Sequence, residues 1–309
     1  MNQTNGAEPF GLVADVGGTN TRLARVGAFG VLKDSVTSRP NKDVGCFDEL
    51  VCSYLKDAPQ PKEIVIAVAG PVNGKKARLT NRNWNFDADS LGSKLGAHRV
   101  KLINDLEALA KAIPTVASDA VEPLHADAQL RQPGQALVVG LGTGFNVAAV
   151  DTSSGATFSA ELGHASLPAP VLAYLEQHVP DTSSFESVEN LFSGVGLLNL
   201  GHVMGINAES AKEIAQSNDP KAKNALDIVT VAFGLMVREI AYMYFPRAGL
   251  FFNGSMARTL LAPDRRDRVL EPLRLDQNFN GQFARLPAYL IVSDSVALGG
   301  CAAHLLGES

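Results

Sequence analysis

The sequence predicts a two-domain α/β protein built on mixed sheets. A strand–glycine turn–strand hairpin occurs twice, roughly 125 residues apart. Strand-like and helix-like segments alternate after the first hairpin, the pattern of crossover units with parallel strands. The chain has 309 residues, 46% of them hydrophobic, which is enough for two cores.

The first hairpin joins Gly11-Leu12-Val13-Ala14 to Leu23-Ala24-Arg25-Val26 through Asp15-Val16-Gly17-Gly18-Thr19-Asn20-Thr21-Arg22. Residues 10–38 read as three short antiparallel strands, turning at Gly17-Gly18 and between Gly27 and Gly30. A helix is predicted over 46–56. The unbroken apolar run 63–69 reads as a strand buried on both faces. The cluster Gly70-Pro71-Val72-Asn73-Gly74 closes it as a turn. A helix over 89–95, a strand over 99–103 and a helix over 105–113 follow.

The second hairpin joins 136–139 to 146–150 through Gly140-Leu141-Gly142-Thr143-Gly144-Phe145, with a third strand at 157–160. Helices are predicted over 169–178, 187–200, 208–216 and 221–245. A strand at 249–252 leads into Asn253-Gly254-Ser255. A strand at 289–292 precedes a last helix over 296–306. Gly299 and Gly300 let that helix approach the first domain closely. The predicted domains are therefore 1–115 with 295–309, and 116–294.

Composition excludes several functions. The net charge is −5 and there is no long basic run, so nucleic acid is not an expected partner. The start, residues 1–9, is short and polar and reads as neither a signal nor a transit peptide. The longest apolar stretch, 225–245, carries Asp227, Arg238 and Glu239, so a buried helix is expected rather than a membrane span. Cys46, Cys52 and Cys301 are odd in number and form no CxxC pair. They read as free thiols of a cytoplasmic protein with no zinc site.

Glycines at a turn permit positive φ and let backbone N–H groups approach an anion. Two such hairpins facing each other across a cleft can hold a polyphosphate from both sides. The competing reading is a dinucleotide-binding turn, with Glu161 at the expected distance downstream of Gly140, Gly142 and Gly144. The spacing is GxGxG rather than GxGxxG, and a β-branched strand follows instead of the helix that a pyrophosphate requires.

Other candidates stand beside plainer readings. Asn104-Asp105 ends a strand, where ligands sit in open α/β sheets, but an Asn or Asp before a helix is also the usual N-cap. Glu161 and His164 lie three residues apart and suit two hydroxyls of a polyol; a lone His is equally a structural residue. A metal pair of the Glu-x-x-His kind needs two copies on bundle helices, and there is one. Glu189 reads equally as a surface helix residue. Gly254, in a small-residue turn, offers bare backbone to a flat ligand. Asn81 and Trp84 are candidates for a pocket wall, although a single Trp is more often core.

Taken together, these pieces resemble the bacterial glucokinase family, within the sugar kinase/Hsp70/actin-like (ribonuclease H-like) fold with its central cleft. ADVGGTNTR (14–22) resembles the first phosphate loop. VAGPVNG (68–74) followed by LTNRNW (79–84) resembles the AGPV…TNxxW stretch. LINDLEALA (102–110) resembles the catalytic segment, and GLGTGF (140–145) the second phosphate loop. ELGH (161–164) is similar to the sugar-binding EGGH, ESVENLFSGVGLLNL (186–200) to the segment ending in LSGPGL, and FNGSMAR (252–258) to the adenosine loop. The similarity runs nearly end to end.

The resemblance implies ATP-dependent phosphorylation of glucose at the 6-hydroxyl, a transferase step at the head of carbohydrate metabolism. Asp105 would be the general base. Asn104, Asp105, Glu161, His164 and Glu189 would bind the sugar. Ala14, Asp15, Val16, Gly17, Gly18 and Thr19, with Gly142, Thr143, Gly144 and Gly254, would hold ATP. Asp15 would help to position Mg²⁺ through water. A cytoplasmic homodimer is also implied.

The chain departs from the family pattern at Asn146, Leu162, Val195 and Asn253, where the family has Gly, Gly, Pro and Gly. Asn tolerates positive φ, so Asn146 and Asn253 are expected to preserve their turns. Leu162 is expected to shift the Glu161–His164 geometry if that site needs positive φ. A kinase for another hexose, or a sugar-binding regulator with a weakened nucleotide site, therefore stands beside glucose phosphorylation. The zinc-binding CxCG cluster of the related repressor/ORF/kinase family is absent from the sequence.

Overall fold

The computed structural model describes residues 11–80, 82–125 and 133–307. The polar start, 1–9, and Asn81 lie outside the described residues. The chain divides into two compact units: Met1–Val116 with Ser293–Ser309, and Ala117–Val292.

The first unit opens with β1 (Gly11–Val16), β2 (Asn20–Gly27), β3 (Gly30–Val31), β4 (Thr37–Pro40) and α1 (Phe47–Tyr54). Then come β5 (Glu63–Val68), β6 (Val72–Asn73), β7 (Lys76–Arg78), β8 (Asn85–Asp87) and α2 (Ala88–Leu95). β9 (Arg99–Asn104) and α3 (Asp105–Ala112) follow. The main sheet has the order β3-β2-β1-β5-β9, with β4 also on β2. β1, β5 and β9 run parallel, and β1–β2 is the antiparallel glycine hairpin.

Alternation along these strands builds two layers. Leu12, Ala14 and Val16 of β1, with Ile64, Ile66 and Val68 of β5, share one core with Phe47, Leu50, Val51, Leu91 and Leu95 of α1 and α2. The third strand expected in the first hairpin unit is two: β3 pairs Val26 and Gly27, and β4 pairs residues 20–23. The 70–74 cluster is more than a turn, because it forms the β6–β7 hairpin that β8 joins. Trp84 is in this unit's core, its Nε1 donating to the Gly45 carbonyl at 3.2 Å, the arrangement expected of a core tryptophan.

The second unit contains β10 (Val121–Pro123), β11 (Gln135–Leu141), β12 (Phe145–Asp151), β13 (Thr157–Ser159) and α4 (Ala169–His178). α5 (Val188–Leu191), α6 (Gly194–Val203), α7 (Ala211–Gln216) and α8 (Pro220–Tyr244) follow, then β14 (Gly249–Asn253), α9 (Ser255–Leu260), α10 (Arg266–Arg274) and β15 (Ala288–Ile291). Its sheet has the order β10-β15-β14-β11-β12-β13. β11 is parallel to β14 and antiparallel to β12, which repeats the first unit's hairpin plan.

The single helix expected over 187–200 is two. Ser193 breaks it, its side chain accepting from the N–H of Gly196 at 3.0 Å to cap α6. The helix expected from 208 begins at Ala211, where Ser210 caps it. α8 carries the long apolar stretch with its inward face fully buried, and ends at Phe245 in the left-handed region (φ 43°).

The last helix, α11 (Val296–Gly307), belongs to the first unit and packs on α3, β1 and β5. A β-carbon on Gly300 would overlap the carbonyl oxygen of Ala108, so only glycine permits this approach. α3 and α11 thus cover the face of the sheet opposite α1 and α2.

Candidate active site

The expected site residues fall into two sets, one in each unit. In the first unit, the register aligns Val16 with Val68 and Val68 with Asn104. The glycine loop after β1, Gly70 after β5 and Asp105 after β9 therefore share the carboxyl end of three parallel strands. That is where α/β sheets bind ligands, because the loops diverge there and helix N-termini point outward.

Asp105 is the first residue of α3, and Asn104 is its N-cap. Asn104 Oδ1 accepts from the N–H of Leu106 at 2.9 Å, and its Nδ2 donates to the Gly70 carbonyl at 3.2 Å. The capping reading of Asn104 therefore holds. One amide proton and one lone pair remain for a ligand. The Asp105 carboxyl is pushed up to about 7, first by burial and then by the negative charge of Asp15. The N–H groups of Leu106 and Asp105 act in the opposite sense.

Asp15 lies on β1, directly across from Arg22 on β2. Arg22 Nη1 meets Asp15 Oδ2 at 3.2 Å, and Nη2 meets Asp294 Oδ2 at 2.7 Å. Burial raises the Asp15 pKa, the Arg22 cation lowers it, and Asp294 raises it again. Two neighbouring acids raised by burial form a place that a divalent cation stabilises. Among the described residues no group of three or more His, Cys, Asp or Glu gathers around a metal position. The residues present fit a magnesium ion held by one carboxylate, water and ligand phosphates, the ion's usual manner of binding.

The first glycine loop closes by Gly17 N–H donating to the Asn20 carbonyl at 3.0 Å. No sequence signal marks the residue that pins it, Asn41. This buried side chain donates to the Gly17 carbonyl at 2.7 Å and accepts from Thr21 Oγ1 at 2.7 Å. Its backbone N–H donates to the Thr19 carbonyl at 2.8 Å. The loop is fixed from beneath. Among the described residues, no backbone carbonyl accepts from the N–H of Gly18 or Thr19.

In the second unit, the Gly142–Gly144 loop joins β11 to β12, with Gly142 N–H donating to the Gly144 carbonyl at 3.0 Å. Gly194 N–H donates to the Gly142 carbonyl at 2.8 Å. Gly254 has φ 110°, and a β-carbon there would overlap the Leu141 carbonyl. Gly254 is thus brought against Gly142, and a larger residue would separate them.

Glu189 is not a free surface residue. It is half-buried, and its Oε2 accepts from the N–H of Phe145 at 3.0 Å. A β-carbon on Gly144 would overlap that carboxylate. Glu161 precedes a 3-10 turn, Leu162–His164, whose last residue is His164, and both side chains are exposed. The N–H of Val188 donates to the Ala165 carbonyl at 2.9 Å, and Ser166 bridges to Ser187. Glu161, His164 and Glu189 are therefore gathered beside the second glycine loop.

The departures resolve individually. Asn146 and Asn253 do not adopt positive φ; each lies in a strand, β12 and β14. Their expected role as glycine substitutes in a turn is thus wrong. Leu162 also has no positive φ, so it demands no shift of its neighbours. Val195 is exposed in the first turn of α6, where proline would be tolerated and valine equally fits.

Residues 12–308 match the Glucokinase family. The chain is 29% identical to a glucokinase of Xanthomonas campestris pv. campestris (strain B100), over 95% of this chain and 94% of that one. The crystal structure of a glucokinase from an Antarctic psychrotroph superposes with a TM-score of 0.81 at 28% identity, covering 97% of this chain and 99% of that one. A glucokinase from Balamuthia mandrillaris, solved with glucose, shares the fold with a TM-score of 0.72 at 20% identity, covering 99% of this chain and 95% of that one. The family match, the sequence identity and the superposition each run over nearly the whole length, and the chain belongs to the glucokinase family.

Proposed function

We propose that this protein transfers the γ-phosphoryl group of ATP to the 6-hydroxyl of glucose, giving glucose 6-phosphate and ADP. The observation that carries the proposal is Asp105, a carboxyl pushed up to about 7 at the carboxyl end of β9, in a chain matched by the Glucokinase family from residue 12 to 308. A base with a pKa near the working pH accepts a hydroxyl proton efficiently.

Phosphoryl transfer depends on positioning and charge stabilisation. In this reading Asp105 takes the proton of the attacking hydroxyl. The N–H groups of Gly18 and Thr19, with the Gly142–Gly144 loop, hold phosphates, and Gly254 offers bare backbone to the nucleotide. Asp15 holds Mg²⁺ through water; when bound, the ion neutralises phosphate charge. Asn104, Glu161, His164 and Glu189 read the sugar hydroxyls, since a ligand lacking a matching hydroxyl forfeits a hydrogen bond that the site is built to make.

The protein works as a cytoplasmic homodimer in this proposal. Three free cysteines support the compartment, and the family resemblance supports the dimer. Among the described residues no helix is long and apolar enough to cross a membrane.

ADP release from ATP·Mg²⁺ across a panel of hexoses, with a control lacking sugar, tests the proposal. Sugar-dependent turnover with glucose as the preferred substrate is expected. Turnover confined to another hexose would overturn the glucose assignment, and no sugar-dependent turnover would overturn the kinase.

A further inference from the structure

Asn146 does something that the glycine of the family pattern has no atoms to do. It follows the second glycine loop on β12, opposite Gly140. Its Nδ2 donates to Glu161 Oε2 at 3.0 Å. Its Oδ1 accepts from the N–H of Leu162 at 3.0 Å and from the N–H of Val147 at 2.9 Å. Both lone pairs of the amide oxygen are engaged, so the amide has one orientation. Flipping it would set its oxygen against the Glu161 carboxylate and its NH₂ against two N–H donors.

One departure from the family pattern thereby ties two segments together. Asn146 accepts the main-chain N–H of residue 162, which any residue but proline would present there, and the same side chain holds the neighbouring carboxylate. The Leu162 side chain packs on the second unit's core, which anchors the far end of the bridge. Glu161 sits between in a conformation that is neither extended nor helical (φ −119°, ψ 51°). With Oε2 held, Oε1 has a fixed direction.

We infer that Asn146 is a positioning residue for the sugar. It sets the orientation of the Glu161 carboxylate before the sugar arrives, and through it the affinity for the hexose and the discrimination between epimers. Preorganisation of this kind improves binding by removing an ordering penalty. The inference rests on the reading of Glu161 as a sugar ligand.

Asn146→Gly in the full chain tests it, because glycine is the pattern's own residue at this position. Steady-state kinetics would be recorded with glucose, the 2-epimer mannose and the 4-epimer galactose, and separately with ATP varied. Loss of a hydrogen bond to a charged group should raise the KM for glucose about tenfold, and kcat far less. The preference for glucose over its epimers should shrink, while the KM for ATP should stay within about twofold. Asn146→Asp should raise the sugar KM further, by setting two carboxylates together. Asn146→Ser, too short to bridge both segments, should behave like the glycine variant. In a Glu161→Gln background, Asn146→Gly should add little.

An unchanged sugar KM in an active Asn146→Gly enzyme would overturn the inference alone. A loss shared equally by sugar KM, ATP KM and kcat would also overturn it, since the residue would then merely hold the loop. An unsubstituted enzyme that phosphorylates no hexose would overturn the kinase reading, and this inference with it.

Discussion

Replacing Asp105 with Asn should lower turnover and raise stability, both from one cause. The carboxyl is raised from 3.8 to about 7, chiefly by burial. Folding therefore favours its protonated form. The stabilising contribution of that form is complete below the unfolded pKa, near 4, and is lost as pH rises through about 7. At pH 8 the native protein carries the whole penalty. A rise from 3.8 to about 7, at about 1.4 kcal/mol for each tenfold change in proton affinity, sets a ceiling of about 4 kcal/mol. The residue keeps partial access to solvent, which lowers the expectation to about 2–3 kcal/mol. Asn is neutral at every pH, retains an acceptor for the N–H of Leu106, and leaves the Asn104 cap in place. Asp105→Asn should thus stabilise the first unit by about 2–3 kcal/mol at pH 8, and by about a third of that near pH 5. The only tryptophan, Trp84, lies in that unit's core and reports its unfolding in urea by fluorescence. Turnover should fall by about 10²–10⁴-fold, while sugar binding by calorimetry persists. A variant no more stable than the parent at pH 8, or equally stabilised at both pH values, would refute the assignment of a buried acid held out of its ordinary range. Near-normal turnover would refute its role as base.

The free enzyme's kcat/KM for sugar should rise with pH through a limb near 7, because Asp105 must be ionised to accept a proton; a profile from pH 5 to 9 reads this directly. Arg22→Met removes the cation that lowers the Asp15 pKa. The Mg²⁺ concentration for half-maximal activity should rise about tenfold, with calorimetric sugar affinity unchanged. Gly300→Ala forces a β-carbon into the Ala108 carbonyl, so α11 must lift from α3. A loss of about 1–3 kcal/mol in urea unfolding is expected, together with lower kcat because α3 carries Asp105.

Much of the fold was legible because its signals are local. The apolar strands around Gly17-Gly18 and Gly142–Gly144, the buried strand before Gly70 and the strand–Asp105–helix junction all appear at their expected places. What escaped depends on tertiary partners. β6, β7 and β8 are two or three residues long and carry mostly polar side chains, so no periodicity announces them. β10 exists because β15 pairs with it. The break at Ser193 is invisible to apolar periodicity, which continues through Phe192 into Leu197. Asn41 is one polar residue among several, and only the loop folded over it gives it a role. At Asn146 tolerance of positive φ is irrelevant, because the residue lies within β12. The residue stays extended, and its function resides in an amide that a backbone argument does not consider.

The packing of α11 sets an order of events during synthesis. A ribosome delivers β1 to α3 early and α11 only after the entire second unit. Until α11 arrives, Gly11 lacks Leu305 beside it, the Ala14 carbonyl lacks the Cys301 thiol, and α3 lacks the close approach of Gly300. The second unit is continuous in sequence and waits for nothing downstream. The nascent chain therefore completes the segment carrying Glu161 and Glu189 first, and secures the segment carrying Asp105 last. A chain released before Val296 leaves α3, with the buried carboxyl of Asp105 at its start, without the helix that packs on it.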